Sequence, residues 1–132
     1  MLTLKWLRLL LAQFHPAVAD TTIGTGGDPL DGRRFEGVVL EPGKTAGDAD
    51  TLIFANGRFR STACDPYDYG DGPYTTSVSG EAIAFAAETE SPKHGKLVWS
   101  GLVHGRKLDG TLLRVRDGQV AGEKWVVAGE VL

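Results

Sequence analysis

The sequence predicts an all-β fold, an eight-stranded antiparallel up-and-down β-barrel over residues 33–132, and three observations predict it. From Arg33 onward, apolar and polar residues alternate in short runs. A turn signal separates each run from the next, with no helical period between them. Eighteen glycines in 132 residues fall mostly at those turns, as suits an all-β chain. Consecutive strands joined by tight turns are antiparallel neighbours. Closing eight of them into a barrel removes both exposed edges, which favours a barrel over a sandwich.

Residues 1–19 support two readings. Lys5 and Arg8, the apolar Leu9 to Ala12, and Ala17-Val18-Ala19 ahead of Asp20 have the layout of a signal peptide. Leu4, Leu7, Leu11 and Phe14 instead follow a helical spacing on one face. That reading gives an N-terminal amphipathic helix, ended by His15-Pro16 because a residue before proline is pushed out of the α region. The first reading places the protein in the periplasm or outside the cell, the second in the cytoplasm. No stretch is long enough to span a membrane as a helix. Residues 20–32, DTTIGTGGDPLDG, read as a polar Gly-rich linker. Gly24-Thr25-Gly26-Gly27 lacks the Gly-Lys-Ser/Thr ending of a phosphate loop.

The strands then follow in order. The first covers about Arg34 to Leu40 and closes at Glu41-Pro42-Gly43. The second, Thr51 to Ala55, turns through Asn56-Gly57, a pair that accepts positive φ at both positions. The third, Arg58 to Ala63, enters the longest loop. Tyr74 to Val78 is the fourth, and Ser79-Gly80-Glu81 turns into the fifth, Ala82 to Glu88. A loop with Ser91, Pro92 and Gly95 leads to the sixth, Lys96 to Val103. His104-Gly105-Arg106 turns into the seventh, Lys107 to Arg116, and Asp117-Gly118 into the eighth, roughly Val120 to Val131.

Bulk assigns the inward face to Phe35, Val39, Leu52, Phe54, Phe59, Ile83, Phe85, Leu97, Trp99, Leu112, Trp125 and Val127. Ser61 and Arg114 share that parity, while Arg58 and Arg60 point out. A slip of one residue in any strand reverses its assignment.

Connection lengths then nominate a functional end. In a meander the turns at 41–50, 64–73, 89–95 and 117–118 share one end, and the three tight turns share the other. Ligands of small barrels enter at a mouth, and the loop-rich end is the candidate. Tyr67, Tyr69 and Tyr74, with Trp99 below and Arg114 beside them, form an aromatic set with polar tips suited to a small amphipathic or anionic ligand. The plainer reading is that the loop folds its tyrosines onto the rim and seals it.

Other chemistry is thin. Cys64, the sole cysteine, sits beside Asp65, which disfavours a thiolate, and only His94 on a neighbouring loop is placed to help it. A single cysteine makes no internal disulfide and leaves the redox compartment open. His94 and His104 flank one strand, roughly 33 Å apart in an extended chain, so they share no metal. Asp65, Asp68 and Asp71 lack the spacing of a calcium loop. A net charge of −3 with scattered basic residues gives no face for nucleic acid. No cofactor is expected.

The meander with one loop-rich end resembles the lipocalin and avidin group of small barrels, of the calycin type, over about residues 33–131. That group carries Gly-x-Trp at strand one; here the sequence is Arg33-Arg34-Phe35-Glu36-Gly37, with Phe35 in place of the tryptophan. The resemblance implies the architecture and binding in a cavity, and no residue roles. The chain also looks like small bacterial domains of unknown function. The expectation is a non-enzymatic barrel binding a small apolar or amphipathic ligand at the loop-rich end, through Cys64, Tyr67, Tyr69, Tyr74, His94, Trp99 and Arg114. The alternative is a solid-core structural or protein-interaction domain without a cavity.

Overall fold

The computed structural model describes the backbone of residues 21–23 and all of residues 28–132. Both readings of residues 1–19 lie outside the described residues. Among the described residues nine strands follow in chain order: β1 Thr21–Ile23, β2 Arg34–Leu40, β3 Asp48–Ala55, β4 Arg58–Ser61, β5 Asp71–Ser79, β6 Ala82–Ser91, β7 Gly95–His104, β8 Lys107–Arg116 and β9 Gln119–Val131. From β2 to β9 each strand pairs antiparallel with the next. The β2–β9 ladder, from Arg34↔Val131 to Leu40↔Trp125, closes the ring. The result is an eight-stranded, closed, up-and-down barrel. Among the described residues no helix is long and apolar enough to cross a membrane.

Turn chemistry sets the register. Asn56 and Gly57 have φ of 54° and 78°, and Asp117 and Gly118 have 52° and 77°. Two successive left-handed positions match the strand twist in a two-residue hairpin. β4 is short, so β5 divides one edge between two partners. Its first residues, Asp71 to Pro73, pair with β4, whereas Thr75 to Ser77 pair with β1.

The lumen is filled from one wall. Phe35, Phe54, Phe59, Tyr74, Phe85 and Trp99 are all buried, with ring centroids 5.0 to 6.5 Å apart. The strands that complete the ring, β8 and β9, add the smaller Leu108, Leu112, Val126 and Ala128, and glycines stand where paired strands come close, Gly37 beside Ala128 and Gly101 beside Gly110. Large against small across a narrow barrel gives a packed core. A Cβ on Gly37 would lie 2.0 Å from the Val127 carbonyl oxygen, and one on Gly110 2.4 Å from that of Ser100, so the backbone of the neighbouring strand leaves no room there for a side chain.

This packing corrects one expectation. Trp125 and Val127 face outward, and Val126 and Ala128 face the lumen. With the aromatic wall already filling the interior, β9 offers its smaller residues to the core. A register shift at Arg114/Val115, where Arg114 pairs with Gly122 and Val115 with Val120, marks a bulge on β9. The inward placement of Phe35, Leu52, Phe54, Phe59, Ser61, Phe85, Leu97, Trp99 and Leu112 is observed, and Val39 and Ile83 pack against this core. Arg58 and Arg60 are exposed.

The tight-turn end is plugged by residues 28–33. Leu30 is fully buried, and its amide donates to Asp28 Oδ1 at 3.0 Å. Arg33 then clamps the end of β9. Its guanidinium donates twice to Glu130, at 3.0 and 2.8 Å, and once to the Gly105 carbonyl. It also lies over the Phe35 ring. That bidentate pair holds the Glu130 carboxyl below its usual range.

Candidate functional site

The loop-rich end is built from the connections at 41–47, 62–70, 92–94 and 117–118. The longest of these begins with a 3-10 segment, Thr62–Tyr67. Proline at 66 and the left-handed Asp68, with φ of 65°, end it and swing Tyr69 back over the rim. Tyr69 is buried, and its hydroxyl donates to the His94 carbonyl oxygen at 3.3 Å. His94 is held in turn: Ser91 Oγ accepts from its amide at 3.2 Å and from that of Lys93 at 3.3 Å. Tyr67 stands outside this seal. Its ring is edge-on to the His94 imidazole at 5.7 Å, and the residue is 55% exposed.

Burial pushes the Tyr69 hydroxyl up, and the charges of Arg114 and Arg116 oppose the shift. Arg114 is exposed at the rim rather than inside the lumen. Cys64 is half-buried on the 3-10 segment. Burial pushes its thiol up, and Asp50 and Asp65 add to the shift, outweighing a bond to Ser61. The thiol is therefore kept protonated, the reverse of what a nucleophile needs.

Five of the seven expected residues thus meet at one end: Cys64, Tyr67, Tyr69, His94 and Arg114. The other two do not. Trp99 lies in the core, its indole donating to Thr89 Oγ1 at 3.4 Å. Tyr74 belongs to the opposite end, because the short β4 brings it beside the β3–β4 turn, where its amide meets the Gly57 carbonyl. Its hydroxyl donates to Asp28, and burial followed by this carboxylate raises its pKa well above the ordinary value. Asp65 and Asp71 are engaged by Arg60 and Arg58.

One group escaped the sequence reading. Asp50 is buried at the start of β3, where Ser61 Oγ donates to it at 2.5 Å and the Ala63 amide at 3.0 Å. Its carboxyl is raised by burial, and these bonds work against that shift. An open groove of about 580 Å³ lies beside it, lined by Glu36, Gly37, Thr51, Thr62 and Ala63. The signal was present: the inward alternation Leu52, Phe54 runs back to position 50.

Comparison of the chain with protein family models, with curated proteins and with solved structures finds no match.

Proposed function

We propose that the barrel is a non-enzymatic binding module that takes a small amphipathic ligand on the outside of its loop-rich rim. The observation that carries this reading is the exposed Tyr67–His94 ring pair, set on a rim already sealed by Tyr69. Core packing does not require Tyr67 to stand there. Arg114 adds a positive charge on the same rim, and the groove beside Asp50 adds room at the other end of the 3-10 segment. An aromatic face with a charged neighbour suits a ligand with a flat apolar body and an anionic end. The filled lumen sets this reading apart from the cavity binding that a kinship with lipocalins or avidins implies. Here the ligand lies on the barrel, not in it.

The same filled lumen favours a second reading, a solid-core protein-interaction domain with no small ligand. Titrating the ¹⁵N-labelled protein with a panel of aromatic carboxylates separates the two. Rim binding moves the amide signals of Tyr67, His94 and Arg114 saturably, and Tyr67→Ala abolishes the shifts. A panel that leaves those signals in place overturns the rim reading in favour of the second.

A further inference from the structure

The 3-10 segment Thr62–Tyr67 begins without a cap of its own. Ser61 stands at the N-cap position in extended backbone, with φ of −106° and ψ of 116°, yet its side chain bonds none of the segment's amides. That hydroxyl bonds Asp50 Oδ2 instead, and the Ala63 amide donates to Asp50 Oδ1. The first amides of a helical segment need an acceptor, and here it comes from β3, 13 residues back along the chain. Leu52↔Ser61 is the last β3–β4 pair on this side, so Asp50 lies where the two strands part. The segment it holds carries Cys64 and Tyr67 and leads through the left-handed Asp68 to Tyr69.

We propose that Asp50 is the positioning residue of the rim, a pH-sensitive latch that holds the 3-10 segment on the barrel while its carboxyl is protonated and releases it once the carboxyl ionises. Its consequence for ligand capture rests on the rim reading above; the latch itself stands on the two bonds to the segment. Asp50 is 8% exposed, and its neighbours offer like charge. Asp48 shares its side of β3, Glu36 of β2 lines the groove beside it, and the 3-10 segment brings Asp65 and the Cys64 thiol. The cations of this end are engaged elsewhere: Arg60 pairs with Asp65, Lys124 of β9 lies 3.9 Å from Glu41, and Arg114 and Arg116 of β8 act on Tyr69. An ionised Asp50 is therefore better placed in water. The open groove of about 580 Å³ gives it somewhere to turn, and turning drops the Ala63 amide. The protonated acid keeps both bonds without charge, because Oδ1 still accepts from Ala63 while the acid proton is donated to Ser61 Oγ.

Hydrogen exchange in the full-length ¹⁵N-labelled chain is the test, read as protection factors so that the intrinsic pH dependence of exchange drops out. The Ala63 amide and the Asp68 amide, which closes the segment on the Asp65 carbonyl, are the reporters. Their protection falls by up to about tenfold per pH unit from the ordinary carboxylate range to the raised value of Asp50, then levels off. Trp99 and Leu112, paired in the β7–β8 ladder, keep theirs. Asp50→Asn, whose amide reproduces the protonated acid, gives a flat Ala63 profile, and Asp50→Ala lowers Ala63 protection at every pH while the ladder amides hold. Protection at Ala63 that ignores pH in the parent, or a pH dependence that survives in Asp50→Asn, overturns the latch. Failure of the rim reading looks different: Ala63 follows the latch, and aromatic carboxylates leave the Tyr67 and His94 signals in place. Where such a carboxylate binds, its affinity falls along with Ala63 protection in the parent and not in Asp50→Asn. An affinity with the same pH dependence in both belongs to His94 and overturns the positioning role.

Discussion

Replacing Phe54 with alanine probes whether the barrel is solid. Phe54 meets four other rings: Phe35 at 5.9 Å, Phe59 at 5.2 Å, Tyr74 at 5.0 Å and Phe85 at 5.2 Å. Truncation removes about 100 Å³, and an unrelaxed hole of that size costs ~2.4 kcal/mol at ~24 cal/mol per Å³. Lost transfer of the ring from water adds about 2 kcal/mol. The β-ladders on every side of the lumen resist collapse, so the expected loss is about 4 kcal/mol, a large part of the ~5–15 kcal/mol that holds a domain of this kind. Urea unfolding followed by the fluorescence of buried Trp99 measures it, with Phe54→Leu as a milder variant should the alanine form prove too unstable. The Phe54→Ala protein also takes up benzene, as dry apolar cavities do, and the parent protein does not. A loss below about 1.5 kcal/mol, or benzene uptake by the parent chain, refutes the packed lumen.

Two further expectations follow from buried polar groups. Burial raises the Asp50 carboxyl in the folded chain, so its protonated form favours folding; that contribution is full below the ordinary carboxylate range and is lost as pH rises through the raised folded value. Asp50→Asn keeps partners for Ser61 and Ala63, so it gains stability relative to the parent as pH rises from the ordinary carboxylate range through the raised folded value. Urea midpoints across that range read the difference, and a gap that narrows as pH rises contradicts the sign. Tyr74→Phe deprives Asp28 of its hydroxyl donor and costs ~1–3 kcal/mol. Hydrogen exchange at the Leu30 amide, which bonds the same carboxylate, should quicken; unchanged exchange and stability would remove the Tyr74–Asp28 bond from the account of the plug.

The number and order of the eight barrel strands were legible in the sequence because the turns announce themselves, whereas β1, inside the stretch read as a linker, was not. Asn56-Gly57 and Asp117-Gly118 adopt the left-handed conformations their residue types favour. Strand faces were legible where bulk and parity agree, as on β3, β4 and β7. They were not on β9, where Trp125 drew the choice inward. The volume available to β9 is set by rings on β2 to β7, a non-local quantity that alternation along one strand does not contain. Tyr74 was misplaced for a related reason: loop order puts it near the rim, but the short β4 carries it to the other end. The convergence of Tyr67, Tyr69 and His94 could be read from connection lengths alone. That Tyr69 seals the rim and Tyr67 does not depends on the left-handed Asp68 between them.

The divided edge of β5 bears on how the molecule avoids its own kind. Thr75 to Ser77 have β6 on one side and, because β4 stops short, only β1 among the described residues on the other. A chain lacking Thr21–Ile23 would present their backbone donors and acceptors as an open template, the starting point for edge-to-edge association or strand exchange between molecules. Three residues ahead of the barrel therefore act as a guard against aggregation. Removal of a leader before Asp20 leaves that guard in place, whereas a cut a few residues further on takes it away.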